Sequence, residues 1–402
     1  MFRISQYMRE VVDPAPPARR RGAGPQRPVV IWNLIRRCNL ACKHCYSISA
    51  DKDFAGELST DEVCRVMDDL RAYGVPVLIL SGGEPLLRPD IFEVSRRAKA
   101  LGFYVGLSSN GTLIDEPLAD RIAEVGYDYV GVSLDGIGET HDRFRRRQGA
   151  FDASIKGIDH LHARGIKVGL RFTMTQDNYR ELPLLLDLLD STGLEKFYFS
   201  HLNYAGRGNK NRGDDTMLDT TRWAMEMLFE RCLSSLRAGR PKEFVTGNND
   251  ADAVYFLLWL RRHFPDREVD LRQRLVEWGG NSSGCGVANI DNLGNVHPDT
   301  MWYHYSLGNV RERPFSTIWE DLSDPVLAGL RRRPREIGGR CGECRYFDIC
   351  NGNTRIRGFQ LTGDYWGEDP GCYLTDAEIG RDAPGERLVV TPFKAGVRHA
   401  RG

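Results

Sequence analysis

The chain has little lysine, no net charge and no long apolar run, and each shortage removes a class of function. Only nine of its 55 basic residues are Lys, and 55 acidic residues bring the formal net charge to zero. No global field therefore recruits nucleic acid or an acidic membrane surface. No apolar stretch approaches the ~20 residues that a membrane-spanning helix needs. The opening MFRISQYMREVVDPAPPARRRGAGPQRP lacks an apolar core followed by a small-residue cleavage site, so no secretion signal is read there. A basic complement made mostly of Arg suits planar recognition of carboxylates. With 41% hydrophobic and 27% charged residues in 402, the chain can bury an ordinary core, in about two to three domains.

Cysteine is present in number and clustered. Seven of ten fall into two groups: Cys38, Cys42 and Cys45, then Cys341, Cys344, Cys350 and Cys372. Cysteines this close, with no export signal, are more often metal ligands than disulfide partners, and a reducing cytoplasm is the expected location. Cys64 and Cys232 lie in amphipathic helical stretches and read as core residues.

Residues 1–27 are rich in Pro, Arg and Gly and read as an N-terminal arm. Six short apolar runs follow: 29–34, 76–82, 104–110, 129–136, 167–175 and 196–203. Helix-length amphipathic stretches separate them, one opening at Ser59 with Glu62 at capping-box spacing. This alternation predicts an α/β fold with a parallel sheet over 28–213, open or closed into a barrel. Residues 214–278 read as helical. Residues 279–380, rich in Gly, Asn and Cys, read as a second, metal-stapled α+β module, and 381–402 as a tail. Ligand loops of parallel α/β sheets lie at the carboxyl ends of the strands.

The motifs stand at those ends. After the first strand, Cys38-x3-Cys42-x2-Cys45 offers three thiolates. Soft sulfur selects iron–sulfur clusters, and three thiolates on a [4Fe–4S] cube leave one iron free for a ligand. Zinc, with three protein ligands and water, is the alternative. After the second strand comes Ser81-Gly82-Gly83-Glu84-Pro85. The glycines let backbone approach a ligand closely, and the carboxylate can accept from an ammonium. Ser109 and Asn110 follow the third strand, and Ser133 the fourth; all can bond ribose hydroxyls. Arg171, in the fifth, can pair with a carboxylate. Cys341, Cys344, Cys350 and Cys372 form a complete four-thiolate set, for a cluster or for structural zinc.

Taken in this order, the motifs resemble the radical S-adenosylmethionine (SAM) superfamily, whose fold is a partial (β/α)6 barrel. That resemblance implies a cluster on Cys38, Cys42 and Cys45 that cleaves SAM. Gly82, Gly83 and Glu84 would hold the SAM amino group, and Ser109, Asn110, Ser133 and Arg171 its ribose or carboxylate. The C-terminal cysteines, with Gly294–Asp299 and Leu307–Val310 upstream, resemble the SPASM/twitch extension that houses auxiliary clusters. Asp299 stands where the full SPASM pattern has Cys, which leaves Cys285 without its usual partner and favours one auxiliary [4Fe–4S] cluster over two.

Nearly all of residues 1–380 resemble the radical SAM proteins of haem d1 biosynthesis in denitrifying bacteria. The implied substrate is a tetrapyrrole, 12,18-didecarboxysirohaem, losing two propionates, with a flavodoxin or ferredoxin as electron donor. For such a ligand Arg145 and Arg147 are candidate carboxylate partners, and His201, His297 and His304 candidate iron ligands. The rival reading is a SPASM/twitch enzyme that modifies a peptide. A zinc-stapled scaffold without catalysis leaves Glu84 and the open iron position without a purpose.

Overall fold

The computed structural model describes residues 1–13, 27–216, 218–381 and 387–393. Apolar runs without alternation suit strands covered on both faces. The six expected runs become β1 (Val29–Ile35), β2 (Val77–Gly82), β3 (Tyr104–Ser109), β4 (Tyr129–Ser133), β5 (Val168–Met174) and β6 (Lys196–His201). Four more follow: β7 (Glu243–Gly247), β8 (Val287–Ile290), β9 (Asn295–His297) and β10 (Gly308–Asn309). They form one sheet in the order β10-β9-β8-β1-β2-β3-β4-β5-β6-β7. From β8 to β7 all neighbours are parallel, with registers such as Val30↔Leu78 and Ser133↔Arg171. β9 and β10 are antiparallel additions. The sheet stays open, with β7 and β10 at its ends, as a partial barrel requires.

The crossovers are amphipathic helices. That over Thr60–Tyr73 starts at a complete capping box: Glu62 N–H donates to Ser59 Oγ at 3.3 Å, and Ser59 N–H to the Glu62 carboxylate at 2.8 Å. It stops at Gly74, whose φ of +91° suits glycine. Between them Val63, Val66, Met67 and Leu70 face the sheet side and are buried.

Three boundaries differ from the sequence reading. The N-terminal arm is ordered at its start, because Ile4–Val12 is a helix and Phe2, Ile4 and Met8 are core residues. Phe2 and Thr246 exchange backbone hydrogen bonds of 2.9 and 2.8 Å, which covers the edge of β7. Residues 14–26 of that arm lie outside the described residues. The segment 214–278 is not all helical, since it supplies β7 between helices Leu218–Arg237 and Ala251–His263. The C-terminal module does not stand apart, because β8 pairs directly with β1. Of the tail, 387–393 runs alongside Arg212, whose Nε donates to Thr391 O at 2.7 Å.

Candidate active site

β1 runs into a loop that carries the first three cysteines. Cys38 N–H donates to Ala50 O at 3.1 Å, and Lys43 N–H to Phe144 O at 3.1 Å. Arg207 pins the loop from β6's side: Nε donates to Cys42 O at 2.7 Å and Nη1 to Ser49 O at 2.8 Å. Cys38 and Cys42 are buried, Cys45 packs against them, and all three thiols are free. Each sulfur has a different donor. Leu40 N–H reaches Cys38 Sγ at 3.4 Å, Arg145 Nη1 reaches Cys42 Sγ at 3.4 Å, and Ser47 Oγ lies 3.4 Å from Cys45 Sγ. Burial pushes the Cys38 thiol up to about 12. Burial acts the same way on Cys45, yet the Arg207 charge and the Ser47 and Ser49 hydroxyls bring it below its ordinary value.

The Gly82-Gly83-Glu84 segment at the end of β2 packs against this loop. A Cβ on Gly82 would lie 2.3 Å from Ile35 O, and one on Gly83 2.1 Å from Arg37 O. The glycines thus serve the approach of β2 to β1 backbone, with Gly83 N–H donating to Ile35 O at 2.6 Å. Glu84 is 0% exposed. Its carboxylate accepts from Ser109 Oγ at 2.9 Å, Asn110 N–H at 2.8 Å and Leu86 N–H at 3.2 Å. Burial raises it to about 7 against these donors, and a cation beside it would favour the charged form. Asn110 Nδ2 donates to Asn39 Oδ1 at 2.8 Å, within the cysteine loop. Ser133 is half-buried at the end of β4. Arg171 donates to Ser108 Oγ and lies 5.1 Å over the Tyr198 ring.

The four C-terminal cysteines converge as free thiols. Burial pushes Cys350 up, and Cys341, Cys344 and Cys372 add to that by proximity. Tyr346 N–H donates to Cys344 Sγ at 3.4 Å and Arg340 Nη1 to Cys372 Sγ at 3.6 Å. Cys285 lies elsewhere, within 3.4 Å of Arg333 Nη2. Among the described residues no three His, Cys, Asp or Glu side chains form a group that could hold a single metal ion.

Just past the carboxyl ends of β5–β7 lies a cavity of about 220 Å³ lined by His201, Arg212, Asp215, Asn249, Arg357 and Gly371, among others. His201 is braced from behind. Its Nε2 is 3.0 Å from Asp252, which also accepts from Tyr373 O–H at 2.7 Å, and Tyr373 adjoins Cys372.

Residues 32–189 match the radical SAM superfamily. The chain is 55% identical over 401 residues to the pre-heme d1 synthase of Dinoroseobacter shibae, covering 99% of this chain and 98% of that one. It belongs to the radical SAM superfamily. A second relative, the Fe-coproporphyrin III synthase of Methanosarcina barkeri, is 46% identical over 88% of this chain and 90% of its own length. In fold the protein is similar to Streptococcus suis SuiB bound to its precursor peptide SuiA, with a TM-score of 0.69, 16% identity, and coverage of 87% and 76%. Membership of the radical SAM superfamily makes the protein an enzyme and implies a [4Fe–4S] cluster and SAM. The thiols of Cys38 and Cys42, buried, and of Cys45, half-buried, each with a donor, fit the cluster.

Against that family background the remaining candidates separate. Arg145 and Arg147 do not act as a pair. Arg147 is exposed, whereas Arg145 is 7% exposed and ion-paired to the buried Asp135. Its guanidinium faces a cysteine, not an open substrate space, which corrects its assignment as a substrate contact. His297 has both ring nitrogens engaged, Nδ1 with Tyr305 O at 2.7 Å and Nε2 with Asp291 at 3.3 Å. Both nitrogens are thus turned to partners within the fold and not to the cavity. His304 meets Tyr365 O–H at 3.0 Å and stacks on Phe359, outside the cavity lining. Only His201 of the three lines the cavity. Sequence reasoning missed Asp252 and Tyr373, read Asp135 only within the ribose-binding motif at the end of β4, and gave His44 no role. His44 carried a visible signal in its place between two of the cysteines; burial lowers it to about 4 although Asp135 opposes.

Proposed function

We propose that the protein is the radical SAM enzyme of haem d1 biosynthesis, removing the two propionate side chains of 12,18-didecarboxysirohaem. The observation that carries this reading is 55% identity along essentially the whole of a pre-heme d1 synthase. Cys38, Cys42 and Cys45 hold the SAM-binding cluster, and Cys341, Cys344, Cys350 and Cys372 hold one auxiliary [4Fe–4S] cluster. When bound, cluster and SAM would supply the hydrogen-abstracting chemistry, by way of a 5′-deoxyadenosyl radical. The protein's part is positioning and exclusion of water. Glu84, with Gly82 and Gly83, receives the SAM ammonium; Ser109, Asn110, Ser133 and Arg171 border its ribose and carboxylate. His201, set by Asp252, lines the cavity and is the candidate ligand to the substrate's iron. A flavodoxin or ferredoxin delivers the electron.

The test is tetrapyrrole turnover. Reduced, anaerobically reconstituted protein with SAM should release 5′-deoxyadenosine faster when didecarboxysirohaem is added, and mass spectrometry should show product that has lost its propionates. A tetrapyrrole that neither binds nor changes mass, while a peptide does, overturns the substrate assignment.

A second prediction isolates Glu84. Glu84→Gln should weaken SAM binding, since an ammonium–carboxylate contact is worth about 1.5–3 kcal/mol when desolvated, yet leave the iron content unchanged. The change in the EPR signal on SAM titration reads the affinity; an unaltered titration removes Glu84 from the SAM site.

A further inference from the structure

Arg145 has no role in the reading above, yet it is the most elaborately held cation near the first cysteines. It is 7% exposed, its Nη1 donates to Cys42 Sγ at 3.4 Å, and its Nη2 is ion-paired to Asp135. Asp135 is 0% exposed. Its Oδ1 accepts from Thr173 N–H at 2.8 Å, and His44 Nε2 stands 3.7 Å from its Oδ2. His141 stands behind them, its Nδ1 accepting from Asp135 N–H at 3.1 Å. Arg207 and the buried Glu84 also act on the same thiols. A buried guanidinium is costly unless paired, and this one is paired on one side to a carboxylate and on the other to a cluster ligand.

We propose that Arg145 and Asp135 are a charge-balancing pair for the first iron–sulfur site, Arg145 favouring its reduced state through Cys42 and Asp135 positioning Arg145 while opposing it. The inference rests on Cys38, Cys42 and Cys45 holding the cluster. One electron from an added reductant takes the cluster from its 2+ to its 1+ state and places one more negative charge beside Cys42. Hydrogen bonds to the sulfurs and net local charge both set such potentials. In a water-poor site a cation in contact with a ligand sulfur acts with little screening. Arg145 and Asp135 therefore pull the potential in opposite directions.

The experiment is an EPR-monitored redox titration of the reconstituted full-length protein, following the signal that changes on SAM addition, with iron measured in parallel. In Arg145→Gln the reduced-to-oxidised ratio at a fixed potential should fall about tenfold, equivalent to about 59 mV for one electron. In Asp135→Asn it should rise by a similar factor. Arg145→Lys, which keeps the charge and loses the fork, should recover most of the wild-type ratio. A purely structural role would open the site to water in both variants and move both ratios the same way. Ratios that move together, or not at all, overturn the proposal. Loss of iron from Arg145→Gln shifts the decision to Arg145→Lys and Asp135→Asn; an Asp135→Asn protein that loses its iron, or shows no rise, also overturns it. Absence of any SAM-responsive signal in the unaltered protein would instead remove the cluster assignment on which the pair depends.

Discussion

Replacing Cys38, Cys42 and Cys45 together by Ala should lower the iron content from about eight to about four per chain and abolish SAM cleavage, because four irons belong to each cube. The arithmetic depends on the two thiol sets being independent. They are: the first lies on the loop after β1, held by Ala50, Phe144 and Arg207, while the second is built from residues after β10. Removing these three sulfurs touches none of the contacts given above for Cys344 and Cys372. SAM cleavage needs an electron at an iron with an open position, so its loss should be complete and not partial. Iron-to-protein ratio and 5′-deoxyadenosine release check the two halves of the statement separately. A C-terminal site filled with zinc and no iron would sink the auxiliary cluster while leaving the first intact.

Arg357→Leu should destabilise the protein by about 3–5 kcal/mol, the cost of breaking a buried ion pair from one side. Arg357 and Asp369 are 1% and 0% exposed at their side chains and meet in a fork, Nε to Oδ1 and Nη2 to Oδ2, each at 2.8 Å. The third nitrogen donates to Asn248 O at 2.8 Å and Leu202 O at 3.2 Å. One guanidinium therefore ties the loop before Cys372 to the ends of β6 and β7, along the wall of the cavity. Leu would leave the Asp369 carboxylate with only the Gly371 N–H, at 2.9 Å, and would strip two carbonyls of the Arg357 donor. Arg357→Lys should fall between, since an ammonium cannot fill the fork. Joint replacement of Arg357 and Asp369 by apolar residues should recover much of the loss, because no charge is then stranded. Thermal unfolding of the anaerobic holoprotein compares the three; a single Arg357→Leu change that leaves the midpoint in place would mean the pair contributes nothing.

The strands and the cysteine sets were legible because each leaves a local mark. A parallel strand covered on both faces reads as an unbroken apolar run, as 29–34 and 76–82 do. Thiols that share a metal keep short spacings. β7 left no such mark, since EFVTG holds only two apolar residues between polar connectors and earns its place by pairing with β6 and with Phe2. Arg145 shows the same limit in the site. In the run Arg143–Arg147 all arginines look alike, but the helix Glu139–Arg145 turns His141, Asp142, Phe144 and Arg145 inward and leaves Arg143 outside. Helical periodicity could have divided them. The partner that decides Arg145, Asp135, is ten residues earlier in the chain, at the end of β4. The partners of His201 were likewise invisible, because Asp252 and Tyr373 come from two separate segments.

The placement of β1 also bears on the order of events during synthesis. β1 is flanked by β2 on one side and β8 on the other, and Asn289 on β8 donates to Ile31 O across a separation of 258 residues. At about 5–20 residues per second, β8 leaves the ribosome roughly 13–50 s after β1. During that interval the strand that carries the Cys38–Cys45 loop has one open flank. The loop's anchor Arg207 also trails the cysteines by more than a hundred and fifty residues. A nascent chain thus presents three thiols on an incomplete sheet, exposed to oxygen and to stray metal. Cluster delivery to that loop is expected to follow chain completion rather than accompany it.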